Sequence, residues 1–363
     1  MKRIYKSDKF IKYNNRHSKK LAKRYQMYKK WRKYKLQLEQ GKPKNYPKMV
    51  GQGFKYVDIP SDFSFLSNTS TVLGIINKLR NLLEEKHKTY INLKMVEILD
   101  NGAITILLSI MTEFKLSGIG FNGNFPKNKN AKLLLISSGF FEHLLSKVEY
   151  TIFDEESKFA YGKENQIITK PGKKVISELA KQICVNASKT VGRPNEVNKG
   201  LYRTLIELMH NTNNHANYST EGEEAWWLTV HHDKVNCKVA FVFMDFGVGI
   251  FNSLKNKPLG NILYGAYEKL QEKFMYGTDD KILKAILKGE LHKTHTNQLK
   301  RGKGLPGIYE VISRNQICNF QIITNNVCAD VSKDKYRLIK CDFNGTFLYW
   351  EINKESEVIK WKE

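Results

Sequence analysis

The sequence predicts an α/β protein, and three observations predict it. From about residue 54 onward, short apolar runs alternate with helix-period segments, the pattern of sheets covered by helices. Val239–Met244 is an uninterrupted apolar run, as a strand buried on both faces requires. The chain has 363 residues, 41% of them hydrophobic, which fits about two domains of ~100–200 residues each.

Charge sets one segment apart. Lys and Arg number 60 against 36 Asp and Glu, a net +24, and such a field draws polyanions such as nucleic acid or an acidic membrane face. Residues 1–50 hold 18 of the cations against Asp8 and Glu39, a net +16. Tyr5, Phe10, Tyr13, Tyr25, Tyr28, Trp31 and Tyr34 are interleaved with them. The last four recur every third position along a helix expected over about 17–40. A basic helix with an aromatic stripe suits phosphate contacts plus base stacking. The same aromatics also suit docking on the protein's own body, and the same charge an acidic membrane. Gly41–Pro47 reads as a linker, so residues 1–53 form an arm.

The longest apolar stretches, such as Ala103–Ile110, fall short of the ~20 residues that span a bilayer. Met1-Lys2-Arg3 leads into more charge and not into the apolar core of a signal peptide. Cys184, Cys237, Cys318, Cys328 and Cys341 form no CxxC pair and predict reduced, mostly buried thiols. Together these features predict a cytoplasmic protein without a membrane span.

In the middle segment, Phe54–Ile59 reads as a strand, Ser67–Glu85 as a helix and Thr89–Met95 as a strand. Asn101–Leu116 follows as a buried helix, then Gly118–Asn122 as a strand and Asn130–Leu145 as a helix. Three features carry a family likeness: strand Tyr90–Leu93, the turn Ile98-Leu99-Asp100-Asn101-Gly102 opening a helix, and the later Leu134-Leu135-Ile136-Ser137-Ser138-Gly139. Residues 54–165 thereby resemble a STAS-like domain, the fold of anti-sigma-factor antagonists, which implies a protein partner. In the phosphorylated antagonists a Ser or Thr follows the aspartate; here that position is Asn101.

Chemistry concentrates in residues 166–363. Helices are expected over 173–186 and 197–217, and the second carries Glu207, Asn211 and His215 on one face. A carboxylate one turn from a carboxamide lets one polarise a water while the other's oxygen ligates Mg²⁺. The apolar run 239–244 ends at Asp245-Phe246-Gly247-Val248-Gly249-Ile250. An acid at a strand end followed by glycines offers an acceptor to an exocyclic amine, with room for a flat base. After 51 further residues comes Gly302-Lys303-Gly304-Leu305-Pro306-Gly307, a glycine-rich turn into a helix whose free N–H groups face phosphates. Pro306 suits the first helical turn. Gly345-Thr346 lies in strand-like sequence.

Two look-alikes fail on context. Gly302-x-Gly304-x-x-Gly307 lacks the buried strand that a dinucleotide turn needs before it. Asp245-Phe246-Gly247 lacks the other protein-kinase motifs. His210, His215, His231 and His232 lack metal-site spacing.

The four boxes, in this order over about 190 residues, resemble the GHKL ATPase superfamily, closest in style to the anti-sigma-factor serine kinases. The resemblance implies a Bergerat α/β sandwich of helices on a mixed sheet, binding ATP and Mg²⁺. Carried over, Asn211 binds Mg²⁺, Glu207 is the general base and Asp245 holds the adenine amine. His215 belongs to the first box, and Gly247, Gly249 and Ile250 to the second. Gly302, Gly304 and Gly307 cradle phosphates beside Lys303 and Leu305, and Thr346 lines the adenine pocket. The 51-residue stretch, including Lys281–Lys288, occupies the place of the ATP lid. The expected function is Mg-dependent ATP binding, with hydrolysis switching partner or nucleic-acid binding. A serine/threonine kinase and a nucleic-acid adaptor with structural ATP are the alternatives; dimerisation is a family expectation.

Overall fold

The computed structural model describes residues 53–145, 165–171, 175–215, 225–255, 277–290 and 304–358. The basic arm, and with it the helix expected over 17–40, lies outside the described residues, as do Gly302 and Lys303. The organising element is a five-stranded sheet. It comprises β6 (Asn165–Pro171), β7 (Ala225–Asp233), β8 (Lys238–Asp245), β9 (Cys318–Asp330) and β10 (Lys335–Ile352), in the order β6-β7-β8-β10-β9. All four pairings are antiparallel. This corrects the mixed sheet implied by the resemblance: β7–β8 and β9–β10 each follow one another directly in the chain, through short turns that reverse direction.

Successive residues of β8 point to opposite faces. Val239, Phe241 and Phe243 join one core, while Val242 and Met244 join another. Among the described residues, the first core is covered by α5 (Ser177–Thr190), α6 (Lys199–His215), α7 (Gly249–Lys255), α8 (Asp279–Leu287) and α9 (Gly304–Ser313). Helix α8 falls within the expected lid. Its Ile282, Leu283, Ile286 and Leu287 are buried in the core, so this part of the lid is a packed helix, held by an amphipathic period.

The other face of the sheet carries the middle segment. There β1 (Lys55–Asp58), β3 (Thr89–Asn92) and β5 (Phe121–Gly123) form a parallel sheet in the order β1-β3-β5. A short parallel pair joins β2 (Asp62–Phe63) to β4 (Ile98–Leu99). Helices α1 (Thr69–Glu84) and α2 (Asn101–Leu116) complete the layer. α2 is buried almost all round. The helix expected over 130–145 is two helices, α3 (Lys129–Ser137) and α4 (Phe140–Leu145), broken at Gly139 with φ +87°.

This layer shares its core with the large sheet. Phe65, Ile106 and Met111 cluster with Trp227, Met244, Ile323 and Phe347. The Phe65 ring meets Phe347 edge-on at 4.7 Å, and the Thr105 and Thr229 hydroxyls lie 2.7 Å apart in the buried layer. The molecule is therefore layered as middle segment, sheet, helices. No helix among the described residues is long and apolar enough to cross a membrane.

Candidate nucleotide site

Strand alternation places Asp245 on the helix-covered face, at the end of β8. Its carboxylate Oδ1 accepts the Gly247 N–H at 2.9 Å, and Thr346 donates to it through both its N–H and its hydroxyl. Thr346 is also its partner across the β8–β10 register. Burial pushes the Asp245 carboxyl up to about 6, against the opposing pull of these donors. A carboxylate has about four lone-pair sites, so capacity remains for a further donor such as a base amine.

A second set of contacts clamps the turn that follows. Thr324 Oγ1 accepts the Ile250 N–H at 3.0 Å and donates to the Gly345 carbonyl at 3.0 Å. Asn325 Oδ1 accepts the Phe251 N–H at 3.1 Å, and its amide donates to the Val248 carbonyl at 3.0 Å. Two glycines make the clamp possible. Gly249 sits at φ +77°, where a Cβ would lie 2.4 Å from Asn325 Oδ1. Gly345 sits at φ +135°, where a Cβ would lie 2.0 Å from the Asp245 carbonyl oxygen, closer than any real contact allows. Thr324 and Asn325 were missed in sequence. The signal was present: an Asn pair, Asn325-Asn326, following the strand-like Phe320–Thr324; Asn325 sits at φ +46°, a conformation Asn tolerates better than most residues.

The other half of the site is built on α6 and α9. The Asn198 amide, just ahead of α6, donates to the Gln316 carbonyl just beyond α9 at 2.7 Å. Further along, Arg203 pairs with Glu310 at 3.2 Å and its Nη2 lies 2.5 Å from where a Cβ on Gly307 would be. The two helices thus run antiparallel. One more turn of α6 brings half-buried Glu207 level with Gly304 and Leu305, at the start of α9. Asn211 and His215 lie in the last turns of α6, with their side chains outside the described residues. Ile206, Ile250 and Leu305 all pack on the same helix-side core, which ties the halves to one face of the sheet.

Phe246 points the other way. It packs against the middle-segment core, meets Phe343 at 6.1 Å and lies under the Arg80 guanidinium at 4.9 Å. At α2, Asp100 serves as the helix cap: it accepts from the Ala103 N–H at 2.7 Å, the Ser64 hydroxyl at 2.6 Å and the Leu66 N–H at 3.0 Å. Asn101 beside it has no hydroxyl to accept a phosphoryl group. The five cysteines are all free, and burial pushes the Cys184 thiol up to about 12.

Comparison with known proteins finds no matching family model, no matching curated protein and no matching solved structure.

Proposed function

We propose that the chain is a GHKL-type, Mg-dependent ATP-binding regulatory protein whose nucleotide state controls a partner or nucleic acid. The observation that carries this reading is Asp245: a carboxylate at a strand end, held by Gly247 and Thr346, beside a glycine turn clamped to the Gly345 strand. In this reading Asp245 accepts a hydrogen bond from the adenine amine and Thr346 lines the same pocket. The start of α9 turns its free N–H groups toward phosphate. Asn211 would hold Mg²⁺, which supplies charge neutralisation at the phosphates. Glu207 stands level with that helix start and takes the proton from the attacking water.

Phe246 gives the reading its regulatory element. Asp245 and Phe246 are consecutive, so a ligand that moves one face of this turn acts on Arg80 and the middle segment through the other. Asn101 at the antagonist position favours transfer to water, or to a serine on a separate protein, over transfer within this chain.

The test follows free phosphate and protein-bound label from γ-labelled ATP with Mg²⁺. Phosphate release lost in both Glu207→Ala and Asp245→Asn supports an ATPase; label appearing on an added protein supports the kinase alternative. ATP bound by the wild-type protein in an Asp245-dependent way without any product supports the adaptor. An absence of Asp245-dependent ATP binding contradicts all three.

A further inference from the structure

The small parallel sheet has one face in the core, through Val57 and Ile91. Its other face carries Tyr56 and Tyr90 as register partners. Their rings lie 4.9 Å apart, tilted by 38°, and Tyr56 is 49% exposed. Asn122 continues the row as the register partner of Tyr90. The next row is an amide ladder: Asn124 donates to Asn92 at 2.6 Å, and Asn92 donates to Asp58 at 2.7 Å. With Tyr56 exposed and Tyr90 half-buried, the pair presents aromatic surface to another flat group.

Exposed lysines flank both ends of these strands. At one end Lys55 and Lys88 are joined by a backbone hydrogen bond of 2.8 Å; at the other, Lys94 and Lys127 are joined by one of 3.2 Å. Lys94 lies six positions after Lys88, a span of about 20 Å along an extended strand. Asp58 puts a carboxylate on the same face, and Asn92 donates to it. Residues 1–50, with their net +16, precede β1 in the sequence.

We infer that the Tyr56–Tyr90 face is a stacking platform for the unpaired bases of a single-stranded nucleic acid, with lysines at both strand ends meeting its phosphates. Aromatic pairs supply sequence-tolerant base stacking, flanking cations supply the salt-sensitive backbone term, and the amide ladder offers donors and acceptors to base edges. The inference rests on the nucleic-acid branch of the proposed function and is independent of ATP.

The experiment uses the full chain and labelled single strands of about 12 nucleotides, as DNA and as RNA, each beside an abasic strand of equal length. The expected result is that wild type prefers strands with bases. Tyr56→Ala/Tyr90→Ala should weaken that binding at least tenfold and leave abasic binding within about twofold, while Tyr56→Phe/Tyr90→Phe retains it. Thermal unfolding of each variant confirms that the fold is kept. A double-alanine variant that keeps its unfolding midpoint and binds base-containing strands like wild type overturns the platform. Equal binding of both strand types, unchanged by the substitutions, also overturns it and leaves the arm alone as the binding element. Scoring ATP binding on the same proteins separates the two readings: loss of the nucleotide reading leaves this one standing.

Discussion

The two faces of the five-stranded sheet differ in what they bury. Toward the middle segment the sheet presents Trp227, Val242, Met244, Ile323 and Phe347, met by Phe65 and by the buried length of α2. Toward the helices its rim presents Asp245, Thr324 and Thr346, whose hydrogen bonds hold a turn in place. One strand end serves both, since Asp245 and Phe246 point to opposite sides. The contrast teaches that substitutions on the two faces should separate stability from ligand binding.

The largest effect is expected on the apolar face. Phe347 is fully buried and sits so close to α2 that a Cβ on Gly102 would lie 2.8 Å from its ring. Phe347→Ala should cost about 3–5 kcal/mol in denaturant unfolding. A cost near zero would mean that the middle segment does not share this core.

Next comes the polar rim. Asp245 is held above its ordinary value at about 6. Such a carboxyl favours folding below the unfolded value near 4 and loses that contribution as pH rises through about 6. Asp245→Asn should therefore leave the unfolding midpoint at pH 7 unchanged or raised while weakening ATP binding at least tenfold. In the wild-type protein, ATP affinity should fall as pH drops below about 6, because the acceptor becomes protonated. A pH-independent affinity in titrations from pH 5 to 7 would remove Asp245 from the site.

A smaller effect should appear where the faces communicate. Arg80→Ala removes the guanidinium over Phe246, an interaction of about 0.5–2 kcal/mol, and should shift ATP affinity by a few-fold with little change at saturating nucleotide. The smallest effect concerns His143, ringed against Trp227 at 5.3 Å and pushed down to about 4 by burial and by Lys115. Its contribution to stability is present above about 6.5 and is lost as pH falls toward 4. His143→Phe should flatten that part of the acid unfolding profile.

Much of this arrangement was legible in the chain. The run 239–244 and its terminal Asp245, the apolar stretch 101–116, and the helix over 304–313 are local patterns, and each is an element of the fold. What escaped depends on partners far apart in sequence. Strands β7 and β9 carry polar residues, such as Thr229 and Thr324, whose hydroxyls face partners on distant elements, so their periods do not read cleanly. The Thr324–Asn325 clamp acts on residues about 75 positions away. The apolar stripe of α8 lay unnoticed inside a lysine-rich stretch. That the middle segment and the sheet form one core follows from side chains such as Phe65 and Phe347, between which no local pattern exists.

The most direct measurement is ATP binding and thermal unfolding on the same preparation of Asp245→Asn at pH 7, beside wild type. The account predicts ATP binding lost and the unfolding midpoint held or raised. ATP bound as tightly by the variant as by wild type, or a variant that loses binding only because it unfolds, would contradict it.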